Sequence, residues 1–246
     1  MSDASFLIVK TGTTLPELVA RRGDYEDWIR EGLGVPLSRV RVVRVYEGAA
    51  LPDPRGFAGV VVTGSSALVS EREPWSERTA AWLLGVVEAR VALLGICYGH
   101  QLIAQALGGR VGANPRGREI GSARVRLDPA SAGDPLLGGL GETLWVHTTH
   151  VESVLELPPG VRCLGGNRAD PHHVVAIGAR CWGVQFHPEF DADVMRAYLE
   201  GRRELLEGEG LDVGRLLAEV RGSSDGTALL RRFSRIAAGA DSGDVG

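Results

Sequence analysis

Cys97 stands in the run Gly95-Ile96-Cys97-Tyr98-Gly99, with a glycine two residues to either side. That spacing is the cysteine form of a nucleophile elbow, a sharp, strained strand-to-helix turn that needs small flanking residues. A thiol on such a turn projects from a sheet edge. It also sits at a helix N-terminus, where unpaired amides and the helix dipole favour thiolate over thiol. Far downstream, Val184-Gln185-Phe186-His187-Pro188-Glu189-Phe190 sets a histidine at a strand end, a proline that fixes the turn and a carboxylate two residues on. A thiol nucleophile needs a base, and the base needs a group that holds its tautomer. Cys97, His187 and Glu189 supply that set.

A loop of small residues, Gly64-Ser65-Ser66-Ala67-Leu68-Val69, follows an apolar run. Such a loop lets backbone amides converge on the oxygen of an attacked carbonyl, and on composition alone it reads equally well as an ordinary strand-to-helix turn. Cys163 and Cys181 lie in apolar strand contexts and are expected in the core. The pairs His147 with His150 and His172 with His173 invite a metal reading. On a strand, however, positions three apart face opposite sides, and no thiolate or carboxylate stands in fixed register, so no metal site and no cofactor is expected.

The two motifs, Gly95-Ile96-Cys97-Tyr98-Gly99-His100-Gln101 and His187-Pro188-Glu189, stand in the order of G-x-C-x-G-x-Q and H-P-E in the class I glutamine amidotransferases. Roughly residues 5 to 200 resemble that family, and most resemble its free-standing members similar to the glutaminase half of GMP synthetase. The resemblance implies attack by Cys97 on the γ-carboxamide of glutamine through a γ-glutamyl thioester, with His187 as base and Glu189 as orienter. It implies that the amides of Gly64 and Ser65, where the family usually has Gly-Gly-Pro, join the Tyr98 amide in an oxyanion hole. It also implies that Gln101 contacts substrate. His150, in Thr149-His150-Val151-Glu152 where the family often has Ser-His-x-Asp, becomes a neighbour of the glutamine pocket.

Around these residues the chain reads as alternating strand and helix. Strands are expected over Phe6 to Lys10, Val40 to Tyr46, Gly59 to Thr63 and Val91 to Ile96; the first and last read as buried, whereas Arg41 and Arg44 do not alternate strictly and leave the register of the second open. A helix capped by Asp24 runs through Tyr25, Trp28, Ile29 and Leu33 to Gly34. Another opens at Pro74 and buries Trp75, Thr79, Trp82, Leu83, Val86 and Val87. The elbow helix carries Leu102, Ile103, Ala106 and Leu107 to a Gly108-Gly109 stop. Beyond it come strands over Ile120 to Leu127, Thr143 to His147, Val161 to Gly165, His173 to Ile177 and Arg180 to Gln185, the last two a hairpin across Gly178-Ala179. The expected fold is three-layer α/β, flavodoxin-like as in class I amidotransferases. Its mixed, mostly parallel sheet has helices on both faces and extra C-terminal helices. Residues 1–200 form the amidotransferase domain and 201–238 a helical extension, with helices over Asp191 to Leu206, Asp212 to Val220 and Thr227 to Ala238. Residues 239–246 form a disordered tail.

Bulk properties narrow the function classes. The 246 residues carry a net charge of −4, which gives no general attraction to nucleic acid or an anionic membrane. Lys10 is the single lysine against 26 arginines. Three cysteines, no leader-like start and no apolar run of membrane-spanning length suggest a reducing cytoplasm. No P-loop or Ser-Gly-Gly-Val-Asp pattern of an ATP-using synthetase occurs, so a glutaminase half without an acceptor half is the expectation. The expected substrate is glutamine or a γ-glutamyl compound. Ammonia would pass to a separate synthetase or acceptor protein, or the chain would act alone as a γ-glutamyl peptidase. A cysteine α/β-hydrolase is disfavoured because its acid precedes its histidine, and Glu189 follows His187. An inactive regulatory module is disfavoured by the intact triad, and a DJ-1-like protein leaves His-Pro-Glu unexplained.

Overall fold

The computed structural model describes residues 5–239, so the expected disordered tail lies, from residue 240 on, outside the described residues. The first half alternates strand and helix: β1 (Phe6–Lys10), α1 (Pro16–Arg22), α2 (Tyr25–Leu33), β2 (Val40–Arg44), β3 (Gly59–Val62), α3 (Pro74–Glu88), β4 (Ala92–Ile96) and α4 (Tyr98–Ala106). The second is mostly strand: β5 (Arg110–Ala113), β6 (Glu119–Leu127), β7 (Thr143–His150), β8 (Glu152–Glu156), β9 (Arg162–Gly166), β10 (Val174–Ile177) and β11 (Cys181–Val184). Helices α5 (Ala192–Gly201), α6 (Arg203–Gly208), α7 (Val213–Glu219) and α8 (Asp225–Ala237) follow.

Nine strands form one sheet in the order β2-β1-β3-β4-β11-β10-β9-β6-β7, and β5 and β8 pair separately. The five strands from β2 to β11 are mutually parallel, and the pairs beyond β11 are antiparallel. Only β10 and β6 therefore run against the rest, which is the mostly parallel sheet expected. The parallel strands β1, β3, β4 and β11 are buried throughout, as strands covered by helices on both faces must be.

The elbow explains its own glycines. A Cβ on Gly95 would lie 2.6 Å from the carbonyl oxygen of Gly99, and one on Gly99 2.5 Å from the Val62 carbonyl oxygen. Only hydrogen fits there, so α4 settles directly on β3 and β4. Asp24 caps α2 as expected, accepting from the Tyr25 amide in a capping box with Asp27, and Gly34 closes the helix in the left-handed region at φ 71°.

The structure corrects several expectations. Helix α1 and the β5–β8 ribbon were not foreseen, and β2 stops at Arg44 where residues 45–47 tighten into a 3₁₀ turn. Strand β7 extends to His150, beyond the expected His147. On α3, Trp75, Trp82 and Val87 are only half-buried, and Ser76 and Ala80 join the buried face instead. Cys163 is exposed: its neighbour Leu164 takes the buried face of β9, and alternation along the strand turns Cys163 to the open one. The helices after residue 201 share the main core, into which α8 sends Leu229, Leu230 and Phe233. Among the described residues no helix is long and apolar enough to cross a membrane.

Candidate active site

Strands β3, β4 and β11 are neighbours in the parallel part of the sheet, so their C-terminal ends open on the same edge. In parallel α/β sheets that edge is where ligands bind. Cys97 follows β4 there, its amide donating to the Val184 carbonyl at 2.8 Å. His187 stands three residues past β11, and Gly64 two past β3, so the three expected segments converge. Cys97 has φ 49° and ψ −100°, one of three non-glycine residues with positive φ among those described. Strain of this kind persists only where the surroundings impose it, and it is concentrated at functional sites.

His187 Nδ1 lies 2.8 Å from Glu189 Oε1. A hydrogen on Nδ1 donates to that carboxylate and leaves Nε2 for the thiol. Phe190 stacks on the imidazole at 4.1 Å between centroids and Tyr25 lies nearly parallel to both rings, 6.0 Å from the imidazole and 6.3 Å from Phe190, so aromatic packing holds the ring as well. Burial pushes the Cys97 thiol up, yet the adjacent charge of and hydrogen bond from His187 more than offset it and hold the thiol below its ordinary value. For His187, burial disfavours the cation, but Glu189 and Cys97 raise it to about 10. Both shifts favour a thiolate–imidazolium pair, the reactive form of a cysteine nucleophile.

A cavity of about 310 Å³ opens at Cys97, bordered by Ser65, Tyr98, Gln101, His150 and His187. That volume is at the small end for ligand pockets and suits a compact polar molecule. Of the oxyanion candidates, Ser65 and Tyr98 line it. The Gly64 carbonyl accepts from Thr11 Oγ1 and Thr63 Oγ1, each at 2.9 Å. Because the peptide is trans, the Ser65 N–H points away from those threonines. Ser65 Oγ donates to the Thr11 carbonyl at 2.8 Å and accepts from the Ala67 amide at 3.1 Å. The hydroxyl thus pins a loop that lacks the family's proline. A Cβ on Gly64 would lie 2.6 Å from His187 Cε1, so loop and imidazole are in direct contact.

Gln101 lines the cavity, but both hydrogens of its amide are engaged in the scaffold, donating to the Glu152 carbonyl at 2.7 Å and Gln185 Oε1 at 3.0 Å. Only its oxygen is left for a ligand. Gln185, which no motif pointed to, donates from Nε2 to Cys97 Sγ at 3.6 Å. Its position beside Cys97 follows from the register of β11 on β4 and could have been read only once that pairing was known. His150 also lines the cavity and stands 3.0 Å from Glu119 Oε2. With His173, Glu119 and His150 bring potential ligand atoms within 4.8 Å of one another, yet the separations of 3.0 and 2.9 Å to the carboxylate are those of hydrogen bonds. The C-terminal helices contribute too. Arg202 and Leu205 line the cavity, and Gly226 of α8 abuts the turn between His187 and Glu189, where a Cβ would lie 2.4 Å from the Pro188 carbonyl oxygen.

Known proteins share both sequence and architecture. The chain is 40% identical over 135 residues to a glutamine-hydrolysing GMP synthase of Symbiobacterium thermophilum, covering 54% of this chain but only 25% of that protein. It is 29% identical over 204 residues to the glutamine amidotransferase-like protein chry6 of Gibberella zeae, covering 81% of each. A solved glutamine amidotransferase from Thermotoga maritima has the same fold, with a TM-score of 0.75 at 21% identity over 96% of this chain and 98% of that one. The family model for glutamine amidotransferase class-I matches residues 25–201, and the chain belongs to that family.

Proposed function

We propose that the protein hydrolyses the γ-amide of glutamine through Cys97, His187 and Glu189 and passes the ammonia to an acceptor on a separate protein. The observation that carries this reading is the strained, buried Cys97 beside a His187 whose other nitrogen is fixed by Glu189. In the first half, Sγ attacks Cδ of the side chain, the C–S bond forms and negative charge moves to the carbonyl oxygen. Amides of Tyr98 and of Gly64 or Ser65 would hold that oxyanion, each donor worth about 3 kcal/mol. His187 gives its proton to the departing nitrogen, the C–N bond breaks and ammonia leaves a γ-glutamyl thioester. In the second half, neutral His187 takes a proton from water as the water attacks, and glutamate departs as the thiolate re-forms.

Release of the γ-glutamyl group from other γ-glutamyl compounds without a partner is the second reading, and one observation favours it. The oxyanion loop is pinned by Thr11, Thr63 and Ser65 from within this chain, so its donors need no second protein to set them. The experiment is an assay of the purified chain on glutamine and on a set of γ-glutamyl dipeptides. It is run beside mass spectrometry of the protein treated with a diazoketone analogue of glutamine. A mass gain on the Cys97 peptide with weak turnover of glutamine alone is the expected result. Turnover of a dipeptide far above that of glutamine would establish the stand-alone reading, and no mass gain on Cys97 would sink both.

A further inference from the structure

Glu119, at the start of β6, belongs to no motif, yet three side chains donate to it. Asn167 Nδ2 lies 2.7 Å from Oε1, and His150 Nε2 and His173 Nε2 lie 3.0 and 2.9 Å from Oε2. The other nitrogen of His150, Nδ1, is 2.8 Å from the Glu152 carbonyl oxygen. A carbonyl oxygen only accepts, so Nδ1 carries a hydrogen. An ionised carboxylate also only accepts, so Nε2 carries one too. A ring with two N–H groups is a cation. His173 differs: its Nδ1 has no partner, and a neutral ring with hydrogen on Nε2 satisfies its single bond.

The charges around this ring agree with the hydrogen bonds. Burial raises the Glu119 carboxyl, but the bonds from His150 and His173 outweigh it and hold it well below the usual carboxylate range. Burial opposes charge on His150, yet Glu119, Cys97 and Asp170 together raise it above its ordinary value. His173 faces it edge-on at 6.0 Å, and the Glu152 carboxylate is turned away to accept from the Ser70 amide. His150 borders the cavity that contains Cys97, with its side chain only 2% exposed.

We propose that Glu119 is a positioning residue for the Cys97 nucleophile. By fixing His150 as a buried imidazolium at the cavity wall, it supplies a positive charge in the cavity that holds the sulfur, one that does not leave during turnover. The proposal rests on the reading of Cys97 as the nucleophile. His187 must surrender its proton to the leaving group, and at that stage its charge is lost. Both hydrogens of His150 are engaged with Glu119 and the Glu152 carbonyl, so its charge remains through thioester formation and through the return of sulfur to thiolate.

The test is the pH dependence of Cys97 alkylation by iodoacetamide, followed by mass spectrometry of the Cys97 peptide in wild type, Glu119→Gln and the control His172→Gln. A glutamine amide can donate to His150 Nε2 and so favours the neutral ring. The expected result is a rise of the alkylation midpoint by about one pH unit in Glu119→Gln and none in the control. An unchanged midpoint in folded Glu119→Gln overturns the proposal. Should that variant not fold, nitrogen-15 NMR of the wild-type imidazoles decides, with His150 assigned by its loss in His150→Gln. Both ring nitrogens are expected to be protonated at neutral pH, and a single protonated nitrogen overturns the proposal. Stoichiometric binding of zinc that Glu119→Gln abolishes would likewise overturn it in favour of a metal site. Failure of Cys97 to alkylate at any pH would refute the nucleophile instead, while the NMR state of His150 would still be read.

Discussion

His187 and Glu189 are separated by one residue, and their side chains meet at 2.8 Å between Nδ1 and Oε1. The contact exists because the chain turns at Pro188, a turn closed by the Phe190 amide on the His187 carbonyl at 3.3 Å. A carboxylate placed this way fixes which nitrogen carries the hydrogen and balances the imidazolium, without moving a proton itself. Removing His187 removes the base and should cost about 10⁴-fold or more in kcat. Glu189→Gln keeps an oxygen acceptor near Nδ1 but loses the counter-charge, and about 10²-fold loss is expected. Steady-state kinetics of the two variants with glutamine checks the ranking. Equal losses would mean that Glu189 takes part in proton transfer.

The pH profile of the thiol follows from the two shifts at the site. Cys97 is held below its ordinary value, so its thiolate is present at lower pH than in an unstructured chain. Its contribution to stability is lost as pH falls through the depressed value. His187 is raised to about 10, so the stabilising imidazolium is fully present below its ordinary value of 6.5 and is lost as pH rises through about 10. Cys163 provides an internal control, because partial burial of its sulfur against the Pro171 carbonyl pushes that thiol up although the residue as a whole is exposed. Iodoacetamide at pH 7 should therefore label Cys97 well before Cys163. Equal rates on the two peptides would show that no ion pair activates Cys97.

Cys97 itself separates chemistry from strain. Cys97→Ala and Cys97→Gly should both abolish turnover, but they relax the elbow differently. Alanine retains a Cβ at φ 49° and ψ −100°, whereas glycine adopts such a backbone freely. Cys97→Gly is expected to be more stable than Cys97→Ala by about 1 kcal/mol, read from chemical denaturation of the two. The opposite order would remove the case for stored strain. Cys163→Ser should leave activity unchanged.

What the sequence disclosed depended on how local the determinant was. Cys97, His187 and Glu189 were legible because the glycines around the first and the proline between the other two leave a signature within a few residues. Gln185 and Glu119 were not, since their surroundings arise from β11 lying on β4, from β6 pairing with β7, and from His173, just before β10, reaching Glu119. Helix α1 escaped because Leu15 offers no capping side chain and Leu18 is the one buried residue in the helix, too little for a period to show. The β5–β8 ribbon escaped because β5 is four half-exposed or exposed residues, one of them Gly112. Cys163 was misplaced because apolar neighbours do not reveal which face of a strand is covered.

The C-terminal helices test the division of the chain. Although residues 202–238 lie outside the matched family region, α8 packs against the turn that carries His187 and Glu189. A methyl group at Gly226 would sit 2.4 Å from the Pro188 carbonyl oxygen, and backbone rather than a flexible side chain would have to yield. Gly226→Ala is therefore expected to lower kcat by about tenfold through displacement of His187 and Glu189, with loss of stability of about 1–3 kcal/mol. Kinetics and thermal unfolding of the variant read both effects. Wild-type kcat would mean that α8 supports the fold without setting the site.

The loop from Gly64 offers the sharpest contrast with the family pattern. Where relatives of the Gly-Gly-Pro type would fix the backbone with a proline ring, this chain has Ser65 and Ser66, and the Ser65 hydroxyl spans the loop from the Thr11 carbonyl to the Ala67 amide. Ser65→Ala removes both bonds while leaving every backbone amide in place. If the loop's amides stabilise an oxyanion, their loss of preorganisation should appear in kcat with KM little changed, because the oxyanion exists only beyond the ground state. A fall in kcat of about tenfold is expected, less than the 10²-fold or more seen when a donor itself is removed. Ser66→Ala, which lacks these contacts, serves as the control. A rise in KM at constant kcat in Ser65→Ala would assign the loop to holding substrate and would take Gly64 and Ser65 out of the oxyanion hole.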